Sequence, residues 1–558
     1  MLWSHTILYS RFEIGFLGLI NGLQVTIFIA LFFLTAASAI LWTSKENHSK
    51  LLCLQLIILL SVLWLVPVIT GGSHPFTNET YEKIGLGFYI AETGGFSSQE
   101  IWYLSWPGAL VLLATIAELG VIDYEPIRAL VISLTPFLLL PPLYLFLKNV
   151  VGQMGRNYHW AGLLLFSVAN WTGDIFIHPQ GTGYFLLLVL FGLMTMPSIW
   201  KRNGTNIGLL ALSAIVFAAL VPTHLLTSLV GLIIWTLLCI VKRNPRGALI
   251  IVLFLVLLVS WDITEGPRYI PSISQRPLVN VPSETVTTPV EPDIPAEQRS
   301  VLVLDPDLLT QREVTGRFSG SESHVAVARV RLVISVIFAL VGAAGAFLLL
   351  LRKRFASTII LLIITLASLS LLPLSGHYAN ELIRRLYLFA LPGMAYFGIA
   401  LLEVKSRIPI ILLSLLIVIS YPLHIIAHYG NQELDYVHPG QVTAMDFFDS
   451  NTRNGYITGS YPLGYTKRFP DYYDAGFDQL HWQDNKLVGE FNIALPHYIG
   501  ISRWDRARYE WFLGDKQSLK QMEDLLANAT NFNLMYKNPA IKLYQSDAEM
   551  AEIYPSVQ

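Results

Sequence analysis

The chain has 558 residues, of which 53% are hydrophobic and only 14% charged, with a formal net charge of -2 and a mean hydropathy of +0.52. A soluble core needs apolar stripes, whereas this chain carries whole apolar runs of about 17 to 25 residues, long enough to cross a ~30 Å hydrocarbon layer. That excludes an ordinary soluble protein, and the near-neutral balance excludes the basic footprint of a nucleic-acid binder.

Arg11 precedes the first apolar stretch, and no small-residue cleavage site follows it, so the N-terminus reads as a first span rather than a removed signal. Candidate spans then run over 15–43, 51–70, 126–148, 160–173, 183–198, 206–221, 225–241, 248–261, 331–351, 357–373, 387–403 and 408–424, about twelve in all. Basic residues gather in alternate connections: Lys45 and Lys50, Lys148 and Arg156, Lys201 and Arg202, Lys242 with Arg243 and Arg246, Arg352 to Arg354, Lys405 and Arg407. These are the expected cytoplasmic turns, because cytoplasmic loops are the ones enriched in Lys and Arg. The intervening loops 72–106, 171–182 and 222–224 carry only Lys83. Both termini are therefore expected outside. Cys53 and Cys239 lie inside apolar runs and read as inert core thiols.

The expected architecture is an all-α polytopic membrane domain over 1–424 with outer loops 72–125 and 262–330, followed by a small extracytoplasmic α/β domain over 425–558. The middle loop, with Pro267, Pro271, Pro277, Pro282, Pro289, Pro292 and Pro295, reads either as a partly ordered cover or as a linker. Past Tyr421 and Pro422 the composition turns to Asp, Asn, Tyr, Gly and Trp. Short alternating stretches at Gly455–Gly459 and Ile541–Tyr544 flank an amphipathic helix signal around Asp515–Ala527.

Chemistry is expected in the outer loops. The first contains Asn78-Glu79-Thr80-Tyr81-Glu82, a helix-like stretch to Gly94, then Tyr103 to Pro107 and a second amphipathic segment to Gly120. A carboxylate beside the membrane can serve as a general base when partial burial raises its proton affinity; the bland alternative is a pair of solvated loop acids. A second group, Gly376-His377-Tyr378-Ala379-Asn380-Glu381-Leu382-Ile383-Arg384-Arg385, places two arginines where the charge bias expects none. Arg suits bidentate contact with phosphate, against the alternative of an interfacial anchor paired with Glu381. Asp174, His178 and Gln180 form a third group, with Trp171 and Phe176 able to face a sugar ring. Asp174 and His178 are four apart and can share a helical face, but spacing dictates no third ligand. No metal is assigned, and a divalent cation stays an open alternative. His74, His224 and His324 also fall toward the outer side, each readable as an ordinary surface histidine.

The order of an acidic two-helix outer loop, Tyr103-x-x-x-Pro107, and then a span led by Glu125-Pro126-Ile127-Arg128 resembles GT-C type membrane glycosyltransferases, which include protein mannosyltransferases, lipid A aminoarabinose transferases and archaeal dolichol-phosphate-mannose transferases. The likeness covers roughly the first 200 residues by pattern and the rest by architecture. Pro179-Gln180 with Tyr184, and the closing stretches Asn533–Asn538 and Ile541–Tyr544, resemble features of the same group. The resemblance implies a single sugar moved, with inversion, from a polyprenyl-phosphate donor to a glycan, lipid or protein acceptor on the outer face. It puts the acceptor-activating acid on Glu79, with Glu82 as alternate, and the donor phosphate on Arg384 and Arg385. Asp174, His178, Gln180, His377 and Glu381 are then expected around the sugar or acceptor, with membrane lipid the only other partner. The chain departs from the family's acidic pair, since Asn78 stands where the preceding Asp would be, and Asn78-Glu79-Thr80 is also a glycosylation sequon. A phosphate-cradling glycine loop is absent, as is the Trp-Trp-Asp-Tyr-Gly motif of oligosaccharyltransferase catalytic subunits. The competing readings are a polysaccharide polymerase or ligase, and a lipid-linked-glycan transporter or flippase. Few charges at span centres and no visible repeat speak against transport.

Overall fold

The computed structural model describes residues 16–65, 78–95, 105–120, 124–151, 157–172, 178–201, 206–264, 321–369, 381–404, 406–431, 434, 436–452, 454–459, 472–475, 480–483, 486–489, 496–513 and 517–547. Every apolar run read from the sequence coincides with a helix: α1 Val25–Trp42 and α2 Ser49–Leu60, then α5 Tyr124–Val151, α6 Tyr158–Ala169, α7 Pro179–Met194, α8 Ile207–Leu220, α9 Leu225–Lys242, α10 Pro245–Thr264, α11 Glu322–Leu351, α12 Phe355–Leu366, α13 Glu381–Ala400 and α14 Ile408–Tyr429. Between them in sequence, the two amphipathic stretches of the first outer loop are α3 Asn78–Thr93 and α4 Gly108–Gly120. Among the described residues, seven helices are long and apolar enough to cross a membrane, and the other apolar helices there are shorter. This is a multi-pass membrane protein, and large side chains such as Leu249 on α10 (71% exposed) are left for lipid rather than for a protein core.

The described residues divide into two units. The first holds α1, α2, α4 to α10, α11 from Ala326, and α12 to α14. Its core is one continuous apolar cluster, with Trp42, Phe146, Phe191, Trp235 and Phe389 fully buried. Close packing follows from small residues where helices cross: a Cβ placed on Gly345 of α11 would lie 1.7 Å from the Phe397 carbonyl oxygen of α13. Several boundaries differ from the sequence reading, and α11 starts at Glu322 rather than at residue 331. The first span begins at Val25 rather than residue 15, because Leu19–Gly22 forms a 3-10 turn after Gly18, whose left-handed φ of 71° and contact with the Tyr429 carbonyl require glycine. The apolar run 160–173 leaves the helix after Ala169. Finally, α14 continues through Pro422 to Tyr429, past the end of its apolar run.

At one end of this unit the basic turns are gathered as the alternation of charge predicts. Arg352 and Arg354 both pair with Glu403, at 2.8 and 2.7 Å. Asn157 Nδ2 donates to the carbonyls of Leu41 (3.0 Å) and Glu46 (2.8 Å), and Tyr158 Oη to that of Leu402. The α1–α2, α5–α6, α11–α12 and α13–α14 turns are thereby tied together.

The second unit holds α3, α15 Pro439–Asn451, α16 Ser518–Asn528 and the strands. Strands β1 Gly455–Gly459, β2 Tyr472–Ala475, β5 His497–Ser502, β6 Phe532–Asn538 and β7 Ile541–Ser546 form one sheet in the order β2-β1-β5-β7-β6, parallel around β1 and antiparallel around β7. β3 Leu480–Gln483 and β4 Lys486–Gly489 form a separate antiparallel pair. The small α/β domain expected at the C-terminus is this sheet with α15 and α16. Ala444 and Phe448 of α15 share a buried cluster with Ile457, Tyr498, Ile541 and Leu543 of the strands, and Tyr81 of α3 is buried with Val437, Val442 and Met445. The buried polar groups here serve the fold. Asp505 accepts from the Ser502 N–H and hydroxyl as a capping box, while burial pushes its carboxyl up to about 6.

Candidate active site

The end of the first unit opposite the basic turns is built on the unwound end of α6. Past Ala169 the chain turns at Asn170 (φ -78°, ψ 63°), where the Trp171 N–H donates to Ala169 O at 2.8 Å, and the last carbonyls of a helix have no donor from the following turn of helix. Side chains from two other helices supply further donors. From the last turns of α14, His424 Nδ1 donates to Val168 O at 3.0 Å and His428 Nδ1 to Trp171 O at 2.8 Å. From the first turns of α13, Tyr387 Oη donates to Ala169 O at 2.8 Å and Arg384 Nη2 to Thr172 O at 2.7 Å. Each pair is three or four residues apart, so both members project from one helix face. A carbonyl can only accept, which fixes the proton of both imidazoles on Nδ1.

A third helix reaches the same turn. Arg331 of α11 donates from Nε to Ala427 O at 2.7 Å and lies 5.5 Å from the centre of the Trp171 ring, within cation–π range. The Trp171 ring also stacks on Tyr387, with centroids 6.0 Å apart and planes at 26°, and its Nε1 donates to Ser335 Oγ at 3.0 Å. Arg331 and Arg384 thus converge on Trp171–Thr172 from different helices, and Arg384 is solvent-accessible. Both arginines act electrostatically on His428.

Arg385 faces a neighbouring group, where it and His178 act electrostatically on His224. His224 caps α9, its Nδ1 accepting from Thr227 N at 3.3 Å, and packs against Gly183 of α7. Gln180 is buried in the first turn of α7, behind Pro179 at the position where a missing N–H costs the helix nothing.

Arg384, Arg385, His178 and Gln180 therefore fall at one end of one unit. Asp174 and His377 lie outside the described residues. Glu79 and Glu381 lie on helix backbone in α3 and α13, with side chains outside the described set. Glu82 belongs to the second unit, buried and ion-paired with Lys83 Nζ at 2.9 Å. Sequence reasoning missed Arg331, Tyr387, His424, His428 and Lys83. Arg331 was legible as an arginine opening a span from the side expected to be outer, and His424 and His428 as two histidines one turn apart at the end of an apolar run.

Several cationic groups beside an aromatic stack suit an anion carried on an apolar tail at a membrane boundary. A guanidinium has five donors and can serve a carbonyl and a phosphoryl oxygen together. Among the described residues no three His, Cys, Asp or Glu side chains are grouped to hold a metal ion.

No family model matches the chain, and no curated protein matches it either. Among solved structures it is similar to the Archaeoglobus fulgidus oligosaccharyltransferase in complex with zinc and sulfate, at 13% identity and a TM-score of 0.47, over 82% of this chain and 70% of that one. It is also similar to ArnT from Cupriavidus metallidurans bound to undecaprenyl phosphate, at 11% identity and a TM-score of 0.47, over 91% of this chain and all of that one.

Proposed function

We propose that this protein is a GT-C type membrane glycosyltransferase that takes a sugar from a polyprenyl-phosphate donor and passes it to a glycan, lipid or protein acceptor on the outer face of the membrane. The observation that carries the reading is the convergence of Arg331 and Arg384 on the Trp171–Thr172 turn, at the end of the bundle opposite its Lys- and Arg-rich turns. Positive charge concentrates on the cytoplasmic side of membrane proteins, so arginines gathered at the far end answer a need other than topology.

In this reading Glu79 removes the proton of the acceptor hydroxyl as its oxygen attacks the anomeric carbon. The bond from that carbon to the phosphate oxygen breaks with inversion, and the electron pair leaves with the lipid phosphate. Arg384, assisted by Arg331 and Arg385, stabilises that charge as it develops, the step at which preorganised donors contribute most. No covalent intermediate is needed, because phosphate is a good leaving group once its charge is matched. Glu82, held by Lys83, is the alternate base. His178 and Gln180, with Asp174, His377 and Glu381, are assigned to the sugar or the acceptor. Both termini and the second unit are assigned to the outer side.

Mass analysis of lipid-linked and protein-linked glycans from cells with and without the chain, repeated with Glu79→Gln, tests this. The expected result is a glycan one sugar shorter in the deletion, restored by the native chain and not by the variant. An unchanged glycan profile in the deletion overturns the function; restoration by Glu79→Gln overturns only the assignment of the base.

A further inference from the structure

Within the first unit, polar residues from the middle of three helices meet around a cavity of about 10 Å³ lined by Thr35 and Ser38 of α1, Gln55 of α2 and Tyr421 of α14, with Leu59 and Leu164 among its apolar walls. All four polar side chains are buried, none more than 9% exposed. Their hydrogens can be traced. The Thr35 hydroxyl donates to Leu31 O at 2.9 Å, so in its 2.5 Å contact with Tyr421 the phenol is the donor. The Ser38 hydroxyl has a single hydrogen and two acceptors in reach, Leu34 O at 2.9 Å and Gln55 Oε1 at 2.8 Å.

The amide of Gln55 has two polar ends, and Ser38 is the partner of only one. Whichever end is turned to Ser38, the other has no partner among the described residues, and the phenol oxygen of Tyr421 keeps lone pairs that no described donor reaches. Leaving such groups unsatisfied in a buried apolar setting is unfavourable. A buried water needs about 10 to 15 Å³ and two to four polar partners, and this cavity meets both conditions. We propose that it binds one water molecule, bridging the Gln55 amide to the Tyr421 hydroxyl, and that this water fastens the α1–α2 hairpin to α14. The inference is independent of the proposed function. It concerns the helix that supplies His424 and His428, so the water would help set the rotation from which those imidazoles reach α6.

A cryo-electron microscopy map of the full chain in lipid nanodiscs, at a resolution that shows ordered water, tests the site directly. The expected result is a peak within hydrogen-bond distance of the Gln55 amide and Tyr421 Oη, lost in Gln55→Met, which keeps the length of the side chain without its polar end. A cavity without that peak, or one filled by density continuous with lipid, overturns the proposal. A thermal cycle gives a second readout. Gln55→Met and Tyr421→Phe should each lower the apparent Tm by a few degrees, and the double variant by little more than the larger single. Strictly additive losses would mean that no shared water couples the two side chains.

Discussion

The two ends of the membrane unit use arginine differently. At the end with the basic turns, Arg352 and Arg354 both close on the carboxylate of Glu403, a local pairing that joins two interhelical turns. At the opposite end, the described contacts of Arg331 and Arg384 are to neutral groups: the carbonyls of Ala427 and Thr172 and the face of Trp171. A carboxylate offsets a guanidinium's charge, whereas a carbonyl or a ring fixes where the guanidinium sits. The first arrangement joins turns to each other, and the second sets two guanidiniums against a turn.

The comparison is open to attack at both ends. The largest effect is expected from Arg384→Ala, which should weaken binding of a polyprenyl-phosphate probe by roughly 10- to 100-fold, as loss of a charge-assisted hydrogen bond to phosphate implies. Arg384→Lys should recover part of it. Probe binding unchanged in the alanine variant, measured by native mass spectrometry, would make Arg384 a helix cap and nothing more. Next in size, Glu403→Gln should lower the apparent Tm, because it withdraws the shared partner of two arginines; those arginines are partly exposed, so the loss is held to about 1 kcal/mol. Binding of the probe should not change, and a parallel loss would mean that the two ends are not separable. A stability loss of similar size is expected from Tyr387→Phe, which deletes the bond to Ala169 O but keeps the ring stacked on Trp171. About 1 kcal/mol of stability should go, with at most a few-fold change in probe affinity. A larger fall in affinity than Arg384→Ala produces would shift the weight of the site from charge to the geometry of the turn.

Much of the fold could be read from the order of residues, because apolar run length and the alternation of Lys and Arg are direct records of bilayer thickness and sidedness. The places where the reading strayed share a cause. The sequence reading carries a span to residue 173, yet the helix stops at Ala169, where Asn170 leaves the helical conformation and donors from α13 and α14 reach the carbonyls of the turn. The polar Asn170 and Thr172 hint at that stop, but partners more than 200 residues away are not recorded locally. The start at Val25 instead of residue 15 likewise depends on Gly18 meeting the Tyr429 carbonyl. In the candidate site, Arg384 and Arg385 stood out because they violate a rule. Tyr387 and His428 violate none, and only their distances to the unwound turn of α6 mark them. Lys83 had been counted as the one basic residue of its loop, and its burial against Glu82 could not be inferred from that.

The contact of Gly345 with Phe397 bears on how the arginines behave in time. Arg331 and Arg384 stand on α11 and α13, and those helices meet with backbone against backbone, where any Cβ would collide with a carbonyl oxygen. Helices joined that closely cannot slide past each other by side-chain rearrangement, so the two guanidiniums keep their spacing whether or not an anion is present. The work of gathering like charges is then done once, during folding, and under the proposed function an anionic headgroup would meet groups already in place. Enlarging that glycine would be felt at the arginines, several helical turns away, as a loss of register between them.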